Sequence, residues 1–337
     1  MTLASRRRSR RVTFALLFLL IVVSLAAGVG IGPVRIPFRN LVPLLLGQDQ
    51  TSPHSVILRE IRLPRVLLGL VTGYALALSG GTMQGLFRNP LASPYLLGIA
   101  SGASAGAALV ILTGAQKAFL LPLGAFAGGA LAVWIVYRLS KEREGRTSTY
   151  TLLLAGVAVG ALFSAVTSFL IFESAGSERM SEIIFWTMGG LTRGGWTALY
   201  ILLPVVSVSS LVILLLARDL NALALGEEGA FHLGVPPERT KRLLLVSATL
   251  LTSATVAFAG TIGFVGLIVP HILRLVLGPD HRVLLPASGI AGGAFLILSD
   301  IAARTVLSPA ELPVGVITAF LGGPFFLYLL KTKGGRM

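Results

Sequence analysis

Between Arg242 and Arg274 the chain runs 31 residues, Leu243 to Leu273, with His271 as the one ionisable side chain. A helix crosses a hydrocarbon core of about 30 Å with about 20 apolar residues. This run is too long for one crossing and slightly short for two ordinary ones. Its middle, Ala259-Gly-Thr-Ile-Gly-Phe-Val-Gly266 with Pro270 beyond, holds the residues at which a helix breaks. Non-helical backbone at membrane depth must be buried in protein or line a cavity, because lipid offers its polar groups no partner. The run is therefore expected to form a long span, a Gly-rich turn and a short returning span. That pattern belongs to a polytopic membrane protein built around a pathway.

Charge supports this reading. Only 12% of the residues are Asp, Glu, Lys or Arg, about half the roughly 25% of a soluble domain, and the mean hydropathy is +0.85. The chain has no cysteine, which excludes disulfides, thiolate catalysis and Cys-ligated metals. A net charge of +14 could suit nucleic acid. The Lys and Arg residues, however, sit in short loops between apolar runs instead of forming one basic face. They read as topogenic charge, and no nucleic-acid partner is expected.

Runs without charge that are long enough to span are Val12–Val34, Val66–Phe87, Asn89–Gln116, Ala118–Tyr137, Thr147–Phe172 and Gly194–Ala217. The doubled run, Val283–Ser299 and Leu312–Leu330 follow. Counted this way there are about ten spans in an all-α protein, with a single membrane domain over 12–330. A basic N-terminus (1–11) precedes it and a short tail (331–337) follows. The first run has 23 uncharged positions, more than the about 7–15 of a secretory signal. It is expected to stay as a span despite the cleavage-like Ala26-Ala-Gly28. An even number of spans puts both termini on one side, and their Arg and Lys residues make that side cytoplasmic. With this topology 19 of the 28 positive residues lie inside. Five of the remaining nine crowd into Arg35–Arg65, an exception that suggests a function.

Four constellations stand out. Arg59-Glu-Ile-Arg-Leu-Pro-Arg65 precedes the second span on the outer side, with Pro64 placed as in a first helical turn. Two readings fit its arginines: snorkelling anchors, or docking of an acidic external partner. Asp300 and Arg304, spaced for an intrahelical pair, share that side, so Arg304 is expected at the level of Arg62 and Arg65. The cytoplasmic segment 219–235 has a partial apolar stripe (Leu220, Leu223, Ala224, Phe231) punctuated by Gly226, Gly229 and Gly234. Two short helices joined by glycines fit it, lying either on the bilayer surface or in a groove of a cytoplasmic subunit. Lastly, Met83 to Gly98, with Asn89-Pro90 and Pro94, forms a shaped connection on the inner side.

Several motifs occur in a specific order: Arg-Leu-Pro-Arg (62–65), Arg88-Asn-Pro-Leu-Ala92, Leu154-Ala-Gly-Val157, Trp186-Thr-Met-Gly-Gly190 and Leu220-Asn221. Then come Leu233-Gly-Val235, Phe264-Val-Gly-Leu-Ile-Val-Pro-His-Ile-Leu-Arg274, Asp280-His-Arg-Val-Leu-Leu-Pro286, Asp300…Ala303-Arg304 and Glu311-Leu-Pro-Val-Gly315. From about Val56 onward the chain resembles the FecCD family of permeases of type II ABC importers. These handle iron–siderophores, haem, cobalamin and related chelates, and in some branches an oxyanion such as molybdate. The resemblance implies ten spans per subunit and a homodimer with the pathway at its interface. Two cytoplasmic ATPase subunits, which bind the ATP and Mg, would sit below, and a substrate-binding protein above. By motif match, Arg62, Arg65 and Arg304 would dock glutamates of the binding protein. Leu220, Asn221, Leu223, Leu225, Gly226, Ala230, Leu233 and Gly234 would belong to coupling helices that transmit ATPase closure. Ser148 and Thr149 would lie at a cytoplasmic gate.

No catalytic residue, metal ligand or cofactor site is expected in the chain itself. The sequence holds no Gly-x-x-x-x-Gly-Lys-Ser/Thr loop, no His-Glu-x-x-His helix and no nucleophile elbow. The rival reading is an ion-coupled secondary transporter, which would use carboxylates near the bilayer midplane. Asp300 is the best candidate for that role.

Overall fold

A computed structural model describes residues 3–34, 36, 43–44, 52–114, 119–141 and 147–333. Arg35 and Arg39 of the expected outer cluster lie outside the described residues, as do 1–2 and 334–337. The helices are α1 (Leu3–Gly30), α2 (Pro53–Leu86), α3 (Ile99–Thr113), α4 (Leu120–Leu139), α5 (Thr149–Glu173) and α6 (Glu178–Thr187). After them come α7 (Gly195–Leu215), α8 (Ala217–Leu223), α9 (Glu227–His232), α10 (Pro237–Ala259), α11 (Val265–Leu277), α12 (His281–Thr305) and α13 (Val314–Lys333).

Helices α1, α2, α4, α5, α7, α10 and α12 are long and apolar enough to cross a membrane, and α3, α11 and α13 are shorter apolar helices. In chain order these match the ten expected runs. The chain is an all-α polytopic membrane protein.

The doubled run resolves as the periodicity requires. Helix α10 ends at Ala259, residues 260–264 turn, and α11 returns as 13 residues, about 20 Å of helix. The break is tighter than its glycines suggest, because Pro270 lies inside α11. Its polar groups are satisfied by protein. The Tyr95 hydroxyl donates to Ile262 O at 2.9 Å and accepts from Ile262 N at 3.2 Å. Thr261 Oγ1 donates to Thr187 O, and Gly190 N donates to Ala259 O at 2.8 Å. Gly260 takes φ +66, and a Cβ there would overlap the Trp186 carbonyl.

Helix α2 is the buried axis, with α10 and α12 also mostly buried, whereas α1, α4 and α5 turn most of their surface outward. It packs against α12 in antiparallel fashion, and a Cβ on Gly80 would overlap the backbone of Gly266 on α11. Close approach of backbones is how helices associate where lipid removes the hydrophobic drive. A polar seam adds to it, with Ser79 Oγ 2.8 Å from Thr252 Oγ1 and donating to Ala248 O at 3.0 Å.

Two expectations are corrected. Helix α2 starts at Pro53, capped by the Ser52 hydroxyl, so Pro64 is interior and not in a first turn. A π-helical stretch at Ile57–Arg62, with Leu63 N donating to Leu58 O, precedes the proline; such wide turns accommodate breaks in the regular ladder. Among the described residues of the run Asn89–Gln116, α-helix is confined to α3, since Pro94–Leu97 forms a 3-10 turn and Gly98 is left-handed at φ +76.

Candidate functional site

Helix α12 gives the molecule a ruler. At its start Asp280 pairs with Arg10 of α1 at 3.4 Å; near its end Arg304 donates to Gly28 O of α1 at 2.6 Å. The two helices therefore run parallel between an N-terminal face and an opposite face, and each face carries a polar cluster.

The opposite face gathers all three expected docking arginines. Arg65 Nε donates to Asp300 Oδ1 at 2.9 Å and its Nη1 to Glu311 Oε2 at 2.8 Å. Arg304 Nε lies 3.3 Å from Asp300 Oδ2. Arg62 Nη1 donates to the carbonyls of Val29 and Gly30 at 3.1 and 3.0 Å, and its Nη2 to Val34 O. Arg304 thus does sit level with Arg62 and Arg65. Their presentation differs from expectation: Arg62, Arg65 and Arg304 are only 3%, 7% and 2% exposed. The physical reason is the end of α1. Its last carbonyls have no helical partner, and they take up the guanidinium donors, while Asp300 is shared between Arg65 and Arg304. Glu311 is the more exposed acid of the cluster. It lines, with Arg65, Trp186, Gly189, Arg193 and Gly260, a cavity of about 220 Å³. The sequence offered Glu311 only as part of a motif; no local pattern tied it to Arg65, 246 positions away.

Between the faces a groove of about 430 Å³ opens beside α5. Hydroxyls of Ser101, Ser104, Ser164 and Thr261 line it with Gly98 and Gly160. Small residues read in the sequence as packing here also border open space.

At the N-terminal face, α8 and α9 form the two short helices expected of 219–235, with Gly226 between them at φ +109. Leu220, Leu223 and Ala230 are buried against the bundle, whereas Leu225 and Leu233 are exposed. Gly234 (φ +80) ends the unit. Of the apolar stripe read from spacing, Leu220 and Leu223 face the bundle whereas Ala224 and Phe231 are exposed, because the turn at Gly226 breaks the helical register. Phe231 therefore joins Leu225 and Leu233 on the outward apolar face.

Asn221 fastens α8 to α12. Its amide donates to Asp280 Oδ1 at 2.9 Å, and its Oδ1 accepts from His281 N at 2.9 Å. The Asp280 carboxyl also caps α12, accepting from Arg282 N at 3.1 Å. Burial pushes that carboxyl up, but the Asn221 and Arg282 hydrogen bonds and the charges of Arg10 and Arg282 outweigh it and hold it below its usual range.

Ser148 caps α5, its hydroxyl accepting from Thr151 N at 3.3 Å, and Thr149 is the first residue of that helix. Beside them Lys241 contacts Thr147, Glu227 and Glu238. Sequence reasoning treated Lys241 as topogenic charge. Glu238 three residues earlier was the available signal for a local pair.

The model of the FecCD transport family matches residues 16–332. Among relatives, the cobalamin import system permease protein BtuC of Halobacterium salinarum is 50% identical over 294 residues, covering 87% of this chain and 78% of that protein. The hemin transport system permease protein HmuU of Yersinia pestis is 40% identical over 95% of both chains. The vitamin B12 import system permease protein BtuC of Klebsiella pneumoniae is 42% identical over 98% of this chain and 96% of that one. A solved inward-facing structure described as of a metal-chelate type ABC transporter superposes with a TM-score of 0.84 at 33% identity, covering 96% of this chain and 99% of that one.

Proposed function

This chain belongs to the FecCD transport family, and from that membership we propose that it is the membrane permease subunit of a binding-protein-dependent ABC importer for a metal chelate. Cobalamin is the first ligand to test and haem the second, in line with the names of the relatives at 50% and 40% identity. Two copies form the pathway at their interface in a prokaryotic cytoplasmic membrane, with both termini inside. Two ATPase subunits bind and hydrolyse ATP below, and a substrate-binding protein delivers the chelate above.

The observation that carries this reading is the pairing of α8 and α9 at the N-terminal face. They present Leu225, Phe231 and Leu233 outward while buried residues and Asn221 fix them to the bundle. An amphipathic unit anchored on one side and apolar on the other suits a protein groove. The groove beside α5, lined by serines, a threonine and glycines, supports a pathway there. In this reading Ser148 and Thr149, at the start of α5, form the pathway's cytoplasmic gate. At the opposite face, Arg62, Arg65 and Arg304 act from within. A glutamate of the docking protein reaches Arg65 through its cavity by displacing Glu311.

The rival reading, ion-coupled transport, loses its support at Asp300. That carboxylate is held between Arg65 and Arg304 and near one end of its span.

The test is purification of the tagged chain with its co-expressed ATPase and binding protein, followed by reconstitution. A two-plus-two complex should hydrolyse ATP, accelerate with binding protein and take up labelled cyanocobalamin. Charge reversal at Arg65 together with Glu311→Gln should reduce the acceleration at least tenfold. A permease that co-purifies with no ATPase would refute the proposal.

A further inference from the structure

Lys241 is 8% exposed, and a buried ammonium is stable only when its donors are paired. Its Nζ donates to Thr147 O at 3.1 Å and to Glu227 Oε2 at 3.1 Å, and pairs with Glu238. Glu238 in turn accepts from Thr147 Oγ1 at 3.1 Å and from Thr147 N at 3.3 Å. The three elements that meet here are separate in sequence. Glu227 opens α9, Glu238 and Lys241 lie in the first turns of α10, and Thr147 immediately precedes Ser148 and Thr149 at the entry of α5.

We infer that Lys241 is a positioning residue that makes α9 and the entry of α5 move as one body. Ala224, Leu225 and Gly226 join α9 to α8, and Gly226 has a positive φ of +109, so α9 can tilt against α8. Its opposite side is tied through Glu227 to the ammonium, and through the ammonium to the Thr147 carbonyl. Pulling α9 away would take from the ammonium one of its two carboxylates, a loss that opposes the separation. The same displacement is therefore delivered to Thr147, and with it to the capped start of α5. Asn221 performs a different task, since it fixes α8 to α12 and not to α5. The inference deepens the importer reading and rests on it for its consequence: displacement of α9 by an ATPase would reach the cytoplasmic gate through the Lys241 cluster, whose one direct contact to Glu227 of α9 is the ammonium.

The link can be measured without the transport reading. The chain has no cysteine, so Y150C and F231C, both at exposed positions, carry one pair of spin labels per copy, read in the full chain diluted with unlabelled copies. The expected result is a narrow distance distribution that broadens at least twofold in K241M and is largely restored in K241R. An unchanged distribution in K241M overturns the tether. Where K241M does not fold, E227A severs only the α9 arm and leaves the ammonium balanced by Glu238; it is read in the same way. In the reconstituted complex, cyanocobalamin uptake per ATP hydrolysed should fall about tenfold in K241M. Uptake and hydrolysis falling in parallel, or neither falling, overturns the coupling role. Absence of ATP-driven uptake by the wild-type complex would sink the importer reading while the distance measurement still decides the tether.

Discussion

Asp300 serves two guanidinium groups at once, 2.9 Å from Arg65 and 3.3 Å from Arg304, and is almost without solvent. Glu311 holds the other side of Arg65 but keeps a third of its side chain exposed. The two acids should respond differently to neutralisation. Removing one partner of a buried ion pair costs about 3–5 kcal/mol, whereas an exposed pair contributes about 0–1 kcal/mol. Unfolding in mixed micelles should therefore show a large loss for Asp300→Asn and a small one for Glu311→Gln. Equal losses would contradict the assignment of Glu311 as the exchangeable partner. The Asp300–Arg304 pair was legible from its i,i+4 spacing. That Arg65 completes it was not, because 235 residues separate the two side chains.

The elements carry the clearest match between pattern and fold, and the clearest departures. A run of 31 uncharged positions had to fold back on itself within the bilayer, and it does so at 260–264. What seals that turn is remote: the Tyr95 hydroxyl both donates to and accepts from Ile262. In Tyr95→Phe a buried N–H and C=O lose their partner, at about 1–3 kcal/mol. Unfolding in micelles together with hydrogen exchange at Ile262 should register the loss. Wild-type protection at that amide would show the hydroxyl to be dispensable. Helix α6 went unread in the sequence because it is ten residues long and carries Glu178 and Glu182, too short and too charged to be sought as a span. Its Ile183 and Trp186 are nevertheless buried. The π-helical stretch before Pro64 was equally silent: a proline signals a break in the hydrogen-bond ladder, but not how neighbouring turns absorb it.

Across the whole molecule, the charge bias and the two faces of α12 make one statement about orientation. Leu225 is exposed at the N-terminal face and Leu307 beyond the other end of α12. Because no native cysteine competes, L225C and L307C report sidedness directly. A membrane-impermeant maleimide should label L307C in intact cells and L225C only after permeabilisation. The reverse pattern would invert the topology and move the coupling segment to the wrong side for an ATPase. The same two faces are joined by one continuous helix. Helix α12 runs from the Asn221 clamp to the Arg65 cluster.

The amino-acid sequence by itself determined the number and order of the spans, the fold-back, the two short helices of 219–235 and the shared level of Arg62, Arg65 and Arg304. These follow from local quantities: run length against bilayer thickness, helical spacing, glycine position and charge placement. Only the tertiary structure decided whether those arginines face water or the protein. That outcome depends on where the end of α1 and Asp300 come to rest, and so on contacts across more than two hundred residues. It also decided that Lys241, one cation among many in a loop-flanking cluster, lies at the meeting point of α9, α10 and α5. Sequence records that a charge is present; which carboxylates and carbonyls surround it is set by packing.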